Sequence, residues 1–139
     1  MKKWLLAISV ALCAQGAQAV ETPKACVARL GSTIECFSAQ ASYAVEYCSV
    51  LRSNEISKIE LGMPPNADET SATCISTYKK NLKDHYAAVV KSTAKKPAAQ
   101  QAAKKVLIAA YSILDNLPGS RQANDTFQSA LSELEVEAQ

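Results

Sequence analysis

Apolar residues recur every three or four positions between a small number of breaks, and this spacing constrains the fold more than any other feature. Such a period gives an α-helix one apolar face, whereas a half-buried strand would alternate every second residue. The first stripe comprises Val27, Leu30, Ile34, Phe37, Ala41, Val45, Cys48 and Leu51. Further stripes begin at Ile75, Ala103 and Ala123. The pattern therefore predicts an all-α protein.

The breaks between the stripes carry residues that begin and end helices. Ser32-Thr33-Ile34-Glu35 is a capping box, and Gly31 before it suits the end of a preceding helix. Asn66 followed three residues later by Glu69 suggests another helix start. Pro97 suits a first helical turn, and Pro118-Gly119 suits a stop and a turn. We therefore expect each break to separate two helices.

The first 19 residues have the three parts of a cleavable secretory signal. Lys2-Lys3 gives a positive start, residues 5–13 form an apolar centre, and Ala17-Gln18-Ala19 gives a small-residue exit. The apolar run is shorter than the roughly 20 residues that a bilayer span needs. No later stretch is long and apolar enough to span, so we expect no transmembrane segment in the mature chain. We expect cleavage after Ala19, and a periplasmic or secreted mature protein with one helical domain over 20–139.

Four cysteines remain after the signal, namely Cys26, Cys36, Cys48 and Cys74. An even number in a small exported domain indicates two disulfides. Cys36 and Cys48 lie on one predicted helix about 18 Å apart, which is too far to bridge. Cys26 and Cys36 flank the break at Gly31, and Cys48 faces Cys74 across a predicted helical hairpin. These placements favour Cys26–Cys36 with Cys48–Cys74, and Cys26–Cys48 with Cys36–Cys74 stays the alternative.

The complete prediction is a disulfide-stapled antiparallel bundle of four main helices with a short N-terminal helix. The short helix lies near 23–30. The main helices lie near 33–53, 67–94, 97–116 and 121–136.

Residues 54–66 form a longer connection in this prediction than helix bundles usually need. The segment contains the apolar residues Ile56, Ile59, Leu61 and Met63 beside the stiff pair Pro64 and Pro65. In one interpretation it folds over the end of the bundle and buries these side chains. In the other it protrudes and presents Ile59, Leu61, Met63, Pro64 and Pro65 to a partner.

Tyr43 and Tyr47 lie four residues apart on one predicted helix face, with Tyr43 off the apolar stripe. Tyrosine is enriched at protein interfaces, so the pair is a second candidate contact for a partner. The alternative is that both rings pack between helices.

Charge is unevenly distributed along the chain. The whole chain has a formal net charge of +2, and cleavage would remove Lys2 and Lys3. The side-chain charges of the mature protein therefore sum to about zero. Residues 79–114 hold eight Lys and one Asp, whereas residues 115–139 hold one Arg and five acidic residues. Packed helices can neutralise one another across their edges, or the lysines can form a basic face for an anionic partner. We expect no nucleic-acid binding, because the basic cluster lacks arginine and the expected compartment is wrong.

The sequence carries no recognisable catalytic or cofactor motif. It has no nucleophile elbow, no phosphate-binding glycine loop, no Cys-x-x-Cys pair and no zinc-ligand spacing. His85 is the only histidine, and we expect it at the boundary between core and surface, on a helix that packs on the core. We therefore expect no enzymatic activity, no cofactor and no bound metal.

These observations favour a non-catalytic exported binding protein whose partner is another protein. In size, disulfides and helical class the chain resembles periplasmic immunity proteins and inhibitors that block toxic or wall-degrading enzymes. An envelope chaperone or stress adaptor, and an accessory subunit of an envelope or secretion complex, are the alternatives. The sequence does not indicate an oligomeric state.

Overall fold

Five helices follow one another along residues 20–66 and 69–139, which are the residues that a computed structural model of the chain describes. They are α1 (Pro23–Leu30), α2 (Thr33–Glu60), α3 (Ser71–Ser92), α4 (Pro97–Asp115) and α5 (Arg121–Glu137). The all-α, disulfide-stapled bundle is confirmed, with four long helices and one short one in the described chain. The expected signal, residues 1–19, lies outside the described residues.

Serine side chains cap the starts of α2 and α5. The Ser32 hydroxyl accepts a hydrogen bond from the Glu35 amide at 3.3 Å, and the Ser120 hydroxyl accepts one from the Ala123 amide at 3.1 Å. Gly31 has φ of +86°, the left-handed conformation that ends α1. The predicted start of α3 at Asn66 is wrong. The helix begins after Thr70, whose hydroxyl accepts from the Thr73 amide at 3.2 Å.

The largest difference from the prediction is the length of α2. The helix does not stop near residue 53 but continues to Glu60, so the connection to α3 covers residues 61–70. Residues 54–60 contain no Gly or Pro, and good helix formers such as Glu55 and Lys58 are among them. The first residue that favours a helix end is Gly62.

The helices α2, α3 and α4 pack on one another, α5 packs on α4, and α1 packs on α2 and α3. The shared core includes the fully buried side chains of Phe37, Leu82, Val106, Ile113, Leu114, Phe127 and Leu134. Polar contacts align the helices at their edges. The Tyr111 hydroxyl donates to the Lys79 carbonyl at 2.5 Å, and the hydroxyls of Thr33 and Ser92 lie 2.6 Å apart.

The disulfides join Cys26 to Cys36 and Cys48 to Cys74, with Cα–Cα distances of 5.8 and 5.7 Å. The favoured pairing is confirmed and the alternative pairing is excluded. The first bridge fastens α1 to the start of α2, and the second joins the antiparallel pair α2 and α3.

Candidate functional site: the apolar end of helix α2

Helix α2 runs past the point where α3 begins. The Glu55 carboxylate accepts hydrogen bonds from the amide and the hydroxyl of Ser71, the first residue of α3, each at 2.6 Å. Five further helical residues follow Glu55, which at 1.5 Å per residue add about 7.5 Å of helix. We call residues 56–63 the projecting end, because it extends beyond the first turn of α3.

The backbone of the projecting end is closed by a Schellman motif. The Met63 amide donates to the Lys58 carbonyl at 2.9 Å, and the Gly62 amide donates to the Ile59 carbonyl at 3.1 Å. Gly62 has φ of +65°, as the motif requires of its left-handed residue. These bonds satisfy carbonyls that a helix end otherwise leaves open, so the turn has a defined shape.

Three apolar side chains of the projecting end face solvent. Ile59 and Leu61 are each 73% exposed, and Met63 is 52% exposed. Pro64 and Pro65, which follow directly, are also exposed. The interpretation that the segment covers the bundle end is therefore wrong for these five residues. The other interpretation, in which these residues are accessible, agrees with the structure, although Ile59 belongs to a helix and not to a loop.

The chain returns from the projecting end along α2. The Lys58 ammonium donates to the Asn66 side-chain oxygen, and the Tyr47 hydroxyl donates to the Glu69 carboxylate at 2.6 Å. Glu69 lies next to the Thr70 cap of α3, and Cys74 in the first turns of α3 is bonded to Cys48. Hydrogen bonds to α2 therefore hold the connection at Asn66 and at Glu69.

Tyr43 and Tyr47 do not form an exposed aromatic patch. Both are half-buried, and their rings stack with centroids 5.4 Å apart. The buried Tyr78 of α3 contacts both rings, at centroid distances of 5.8 Å to Tyr43 and 6.4 Å to Tyr47. The cluster packs α2 against α3, and its link to the candidate site is the Tyr47–Glu69 hydrogen bond.

This hydrogen bond changes the acidity of Tyr47. The phenol donates to the Glu69 carboxylate, and partial burial adds to the effect, so the pKa of Tyr47 is raised to about 12. Burial raises the pKa of Tyr78 as well. Ionising either phenol would place a second negative charge beside Glu69 within the cluster. The neutral phenols therefore belong to the folded state at physiological pH.

The groups that most often carry catalysis are engaged elsewhere. Cys26, Cys36, Cys48 and Cys74 are all buried in disulfides. The expectation that His85 lies at the boundary of the core is wrong, since the side chain is fully buried and its Nε2 bonds the Glu21 carbonyl at 2.8 Å. Within residues 20–66 and 69–139, no three His, Cys, Asp or Glu side chains are grouped closely enough to hold a metal ion.

Open grooves flank α5 in the described part of the chain. A groove of about 680 Å³ between α4 and α5 contains the paired Lys105 and Glu133, 2.6 Å apart, together with Asp125. A second groove of about 460 Å³ between α2 and α5 contains Val50 and Phe127. Neither groove includes the histidine. The exposed apolar side chains on a hydrogen-bonded turn make the projecting end the candidate site.

The lysine-rich helices are partly neutralised by the acidic C-terminal part of the chain. Lys79 of α3 pairs with Asp115, and Lys105 of α4 pairs with Glu133 of α5. The Lys96 ammonium also donates to the carbonyl of Ala138 at 3.0 Å. Five of the eight lysines form no ion pair and no hydrogen bond to a carbonyl within the part of the chain that is described, namely Lys80, Lys83, Lys91, Lys95 and Lys104.

None of the described helices is both long and apolar enough to cross a membrane. Comparison of the chain with protein-family models, with curated proteins and with solved structures gave no match.

Proposed function

We propose that this is a non-catalytic, exported protein that inserts the projecting end of α2 into an apolar cleft of another protein. The observation that carries the proposal is the exposure of Ile59, Leu61 and Met63 on a backbone fixed by hydrogen bonds. Two disulfides fit an oxidising compartment, as expected of an exported chain.

The fixed backbone lowers the entropy that binding has to remove. A mobile loop with the same side chains would lose conformational freedom on docking. Here the Schellman motif closes the turn, Glu55 binds the first residue of α3, and Cys48–Cys74 joins the two helices below it. The apolar side chains are thus presented in one arrangement before a partner arrives.

The size of the apolar tip limits what it can contribute. Burying a large aliphatic side chain stabilises by about 1.5–3 kcal/mol, so three of them contribute about 4–9 kcal/mol. Association itself costs about 4–15 kcal/mol. The tip therefore serves as an anchor, and a stable complex needs contacts from the polar surface around it as well.

A narrow anchor suits an inhibitor or immunity protein better than a chaperone. A chaperone binds many unfolded segments and needs a broad apolar surface. The other large apolar side chains exposed in the described chain are Val50, Ile108 and Val136, which lie singly on three different helices. Our first proposal is therefore an inhibitor or immunity protein against a toxic or wall-degrading enzyme. An envelope chaperone or stress adaptor, or an accessory subunit of an envelope or secretion complex, is the second.

Replacement of Leu61 and Met63 together by Ser tests the proposal. The matched control is Ile108→Ser, which removes an exposed apolar side chain from α4. Tagged wild-type and variant proteins are exported in the organism that encodes the chain, crosslinked and recovered. We expect one protein to be enriched by the wild type and by the control and lost with the double variant, while all three melt within about 2 °C of one another.

Two results would overturn the proposal. Equal recovery of the partner by the double variant would show that the tip is not the contact. A large fall in the melting temperature of the double variant alone would show that these side chains stabilise the bundle. The identity of the recovered protein then distinguishes an inhibitor from a chaperone. An inhibitor abolishes the activity of one enzyme at a 1:1 ratio, whereas a chaperone recovers many unfolded chains.

A further inference from the structure

Two buried side chains of α3 hold the backbone just before α1. The Glu21 carbonyl accepts hydrogen bonds from the Asn81 amide nitrogen at 2.9 Å and from His85 Nε2 at 2.8 Å. Asn81 is 4% exposed and His85 is 1% exposed. Glu21 is also held through its side chain, since its carboxylate lies 2.7 Å from the Arg29 guanidinium. This short N-terminal stretch is therefore bound to the bundle and has a defined position.

The chemistry of the Glu21 carbonyl fixes the orientation of both partners. A carbonyl only accepts, so Asn81 turns its nitrogen toward it and His85 carries a proton on Nε2. The side-chain oxygen of Asn81 then faces away from this carbonyl. That oxygen is buried and accepts no hydrogen bond from the described residues. A buried acceptor without a donor is destabilising, so a donor that can reach this oxygen is sought in the chain itself.

The donor that the chain itself can supply is the nitrogen of Val20. Val20 directly precedes Glu21, packs against the core, and is the first residue after the predicted cleavage site. In the uncleaved chain this nitrogen is an amide with a single N–H in a fixed direction. After cleavage it is an ammonium group with three N–H donors that rotate about one bond.

We propose that Asn81 and His85 form a receiving site for the processed N-terminus, in which the Asn81 oxygen binds the α-ammonium group of Val20. Hydrolysis of the Ala19–Val20 peptide bond by the export peptidase supplies this group, and water provides the atoms of the new termini. A charge-assisted hydrogen bond then satisfies the buried oxygen. Signal removal thereby stabilises the folded protein, in addition to releasing it.

The first test is the mass and N-terminal sequence of the exported protein, which we expect to begin at Val20. The second is a cycle of four proteins. Chains that begin at Val20 or at Ala17 are each prepared with Asn81 or with Asn81→Ala. In the Asn81 background we expect the three extra residues to lower the melting temperature by about 4 °C. In the Asn81→Ala background we expect no difference between the two starts.

Arg29→Ala is the matched control, because it removes the side-chain partner of Glu21 and leaves its carbonyl contacts intact. The effect of the extension should persist in this variant. A second measurement needs no substitution at position 81. In the protein that begins at Val20, an amine reagent should label the α-amino group several-fold more slowly in the folded state than in urea.

A start other than Val20 would overturn the proposal. So would an extension that lowers the melting temperature equally in the Asn81 and Asn81→Ala backgrounds, because the α-ammonium group would then act independently of the proposed acceptor. Equal labelling rates in the folded and unfolded states would show that the buried oxygen has another donor, such as water.

Discussion

Glu55 of α2 binds the first residue of α3, Ser71, through both its backbone amide and its hydroxyl. Both hydrogen bonds are 2.6 Å long, and the two residues are 16 positions apart in the chain. A carboxylate at this place complements the partial positive charge of a helix start. This contact holds the start of α3 beside Glu55, five residues before the end of α2.

Glu55→Ala should lower the free energy of unfolding by about 1–2 kcal/mol, because it removes a capping acceptor from a partly buried helix start. Denaturant unfolding followed by circular dichroism measures this. Arg52→Ala is the control, since Arg52 only approaches Glu55 at 3.4 Å as an exposed ion pair. The control should cost less than about 0.5 kcal/mol. Equal losses in the two variants would contradict the capping role.

The same contact predicts an acid-dependent loss of stability. The hydrogen bonds from the Ser71 hydroxyl and amide lower the pKa of Glu55 below its ordinary value of 4.5. A carboxyl whose pKa is lower in the folded state stabilises fully above the unfolded value, and the contribution disappears as the pH falls through the folded value. The stability difference between wild type and Glu55→Ala should therefore be constant above about pH 5 and shrink below about pH 4.5. A difference of unchanged size at about pH 2 would contradict it.

Capping residues and glycines are sufficient to predict a helix boundary where that boundary depends only on neighbouring residues. Gly31 and the Ser32 capping box correctly place the end of α1 and the start of α2. Helix geometry excludes a Cys36–Cys48 bridge and favours the pairing that the structure has, but it leaves one alternative pairing open. The end of α2 also has a local signal, because Gly62 followed by Pro64 favours a stop. The predicted end near residue 53 is wrong because the apolar stripe ends at Leu51, whereas the helix itself continues through half-buried and exposed positions to Glu60.

Apart from the disulfides, the contacts between distant parts of the chain that matter here could not be predicted from the sequence. Burial of His85 depends on the Glu21 carbonyl, 64 positions away. Tyr47 is fastened to Glu69 by a contact that exists only because α2 and α3 are antiparallel. The exposure of Leu61 likewise depends on α2 extending beyond the start of α3, which is a property of the packed pair and not of the local pattern.

Gly62→Ala should weaken the projecting end without disturbing the core. No atom lies within 4 Å of where the new Cβ would stand, so the cost comes from the left-handed backbone at φ +65°. That conformation costs a residue with a side chain about 1–2 kcal/mol. In the variant we expect faster exchange of the amides at positions 62 and 63, which donate the hydrogen bonds of the motif, and unchanged exchange in α4. Unchanged exchange throughout would mean that the motif does not hold the turn.

Removal of Cys48–Cys74 by a double Cys→Ala replacement should destabilise the protein by about 3.5 kcal/mol, against about 2.7 kcal/mol for removal of Cys26–Cys36. The difference follows from the sequence separations of 26 and 10 residues, because a longer closed loop restricts the unfolded chain more. Chemical denaturation of both variants measures it. Only the first variant should also lose affinity for a partner of the projecting end. Equal losses of affinity would contradict the role of Cys48–Cys74 in positioning that end.

Tyr47→Phe should release the segment before α3. It should also remove one tyrosine that ionises only near pH 12. The variant loses the 2.6 Å hydrogen bond to Glu69 but keeps the ring stacked on Tyr43, so we expect a loss of about 1 kcal/mol. The pKa of Tyr47, about 12 in the folded protein, exceeds the ordinary value of 10.0. Its contribution to stability is therefore complete below pH 10 and is lost as the pH rises through about 12.

Absorbance titration of the phenolate checks this prediction. The wild type should ionise one more tyrosine near pH 12 than Tyr47→Phe does, and Glu69→Gln should move that step toward pH 10, because an amide still accepts the hydrogen bond but carries no negative charge. Tyr86→Phe is the control, since it removes a phenol outside the Tyr43–Tyr47–Tyr78 cluster. If Tyr47→Phe removed a tyrosine that ionises near pH 10, the phenol would not be held by Glu69, and the segment before α3 would need another anchor.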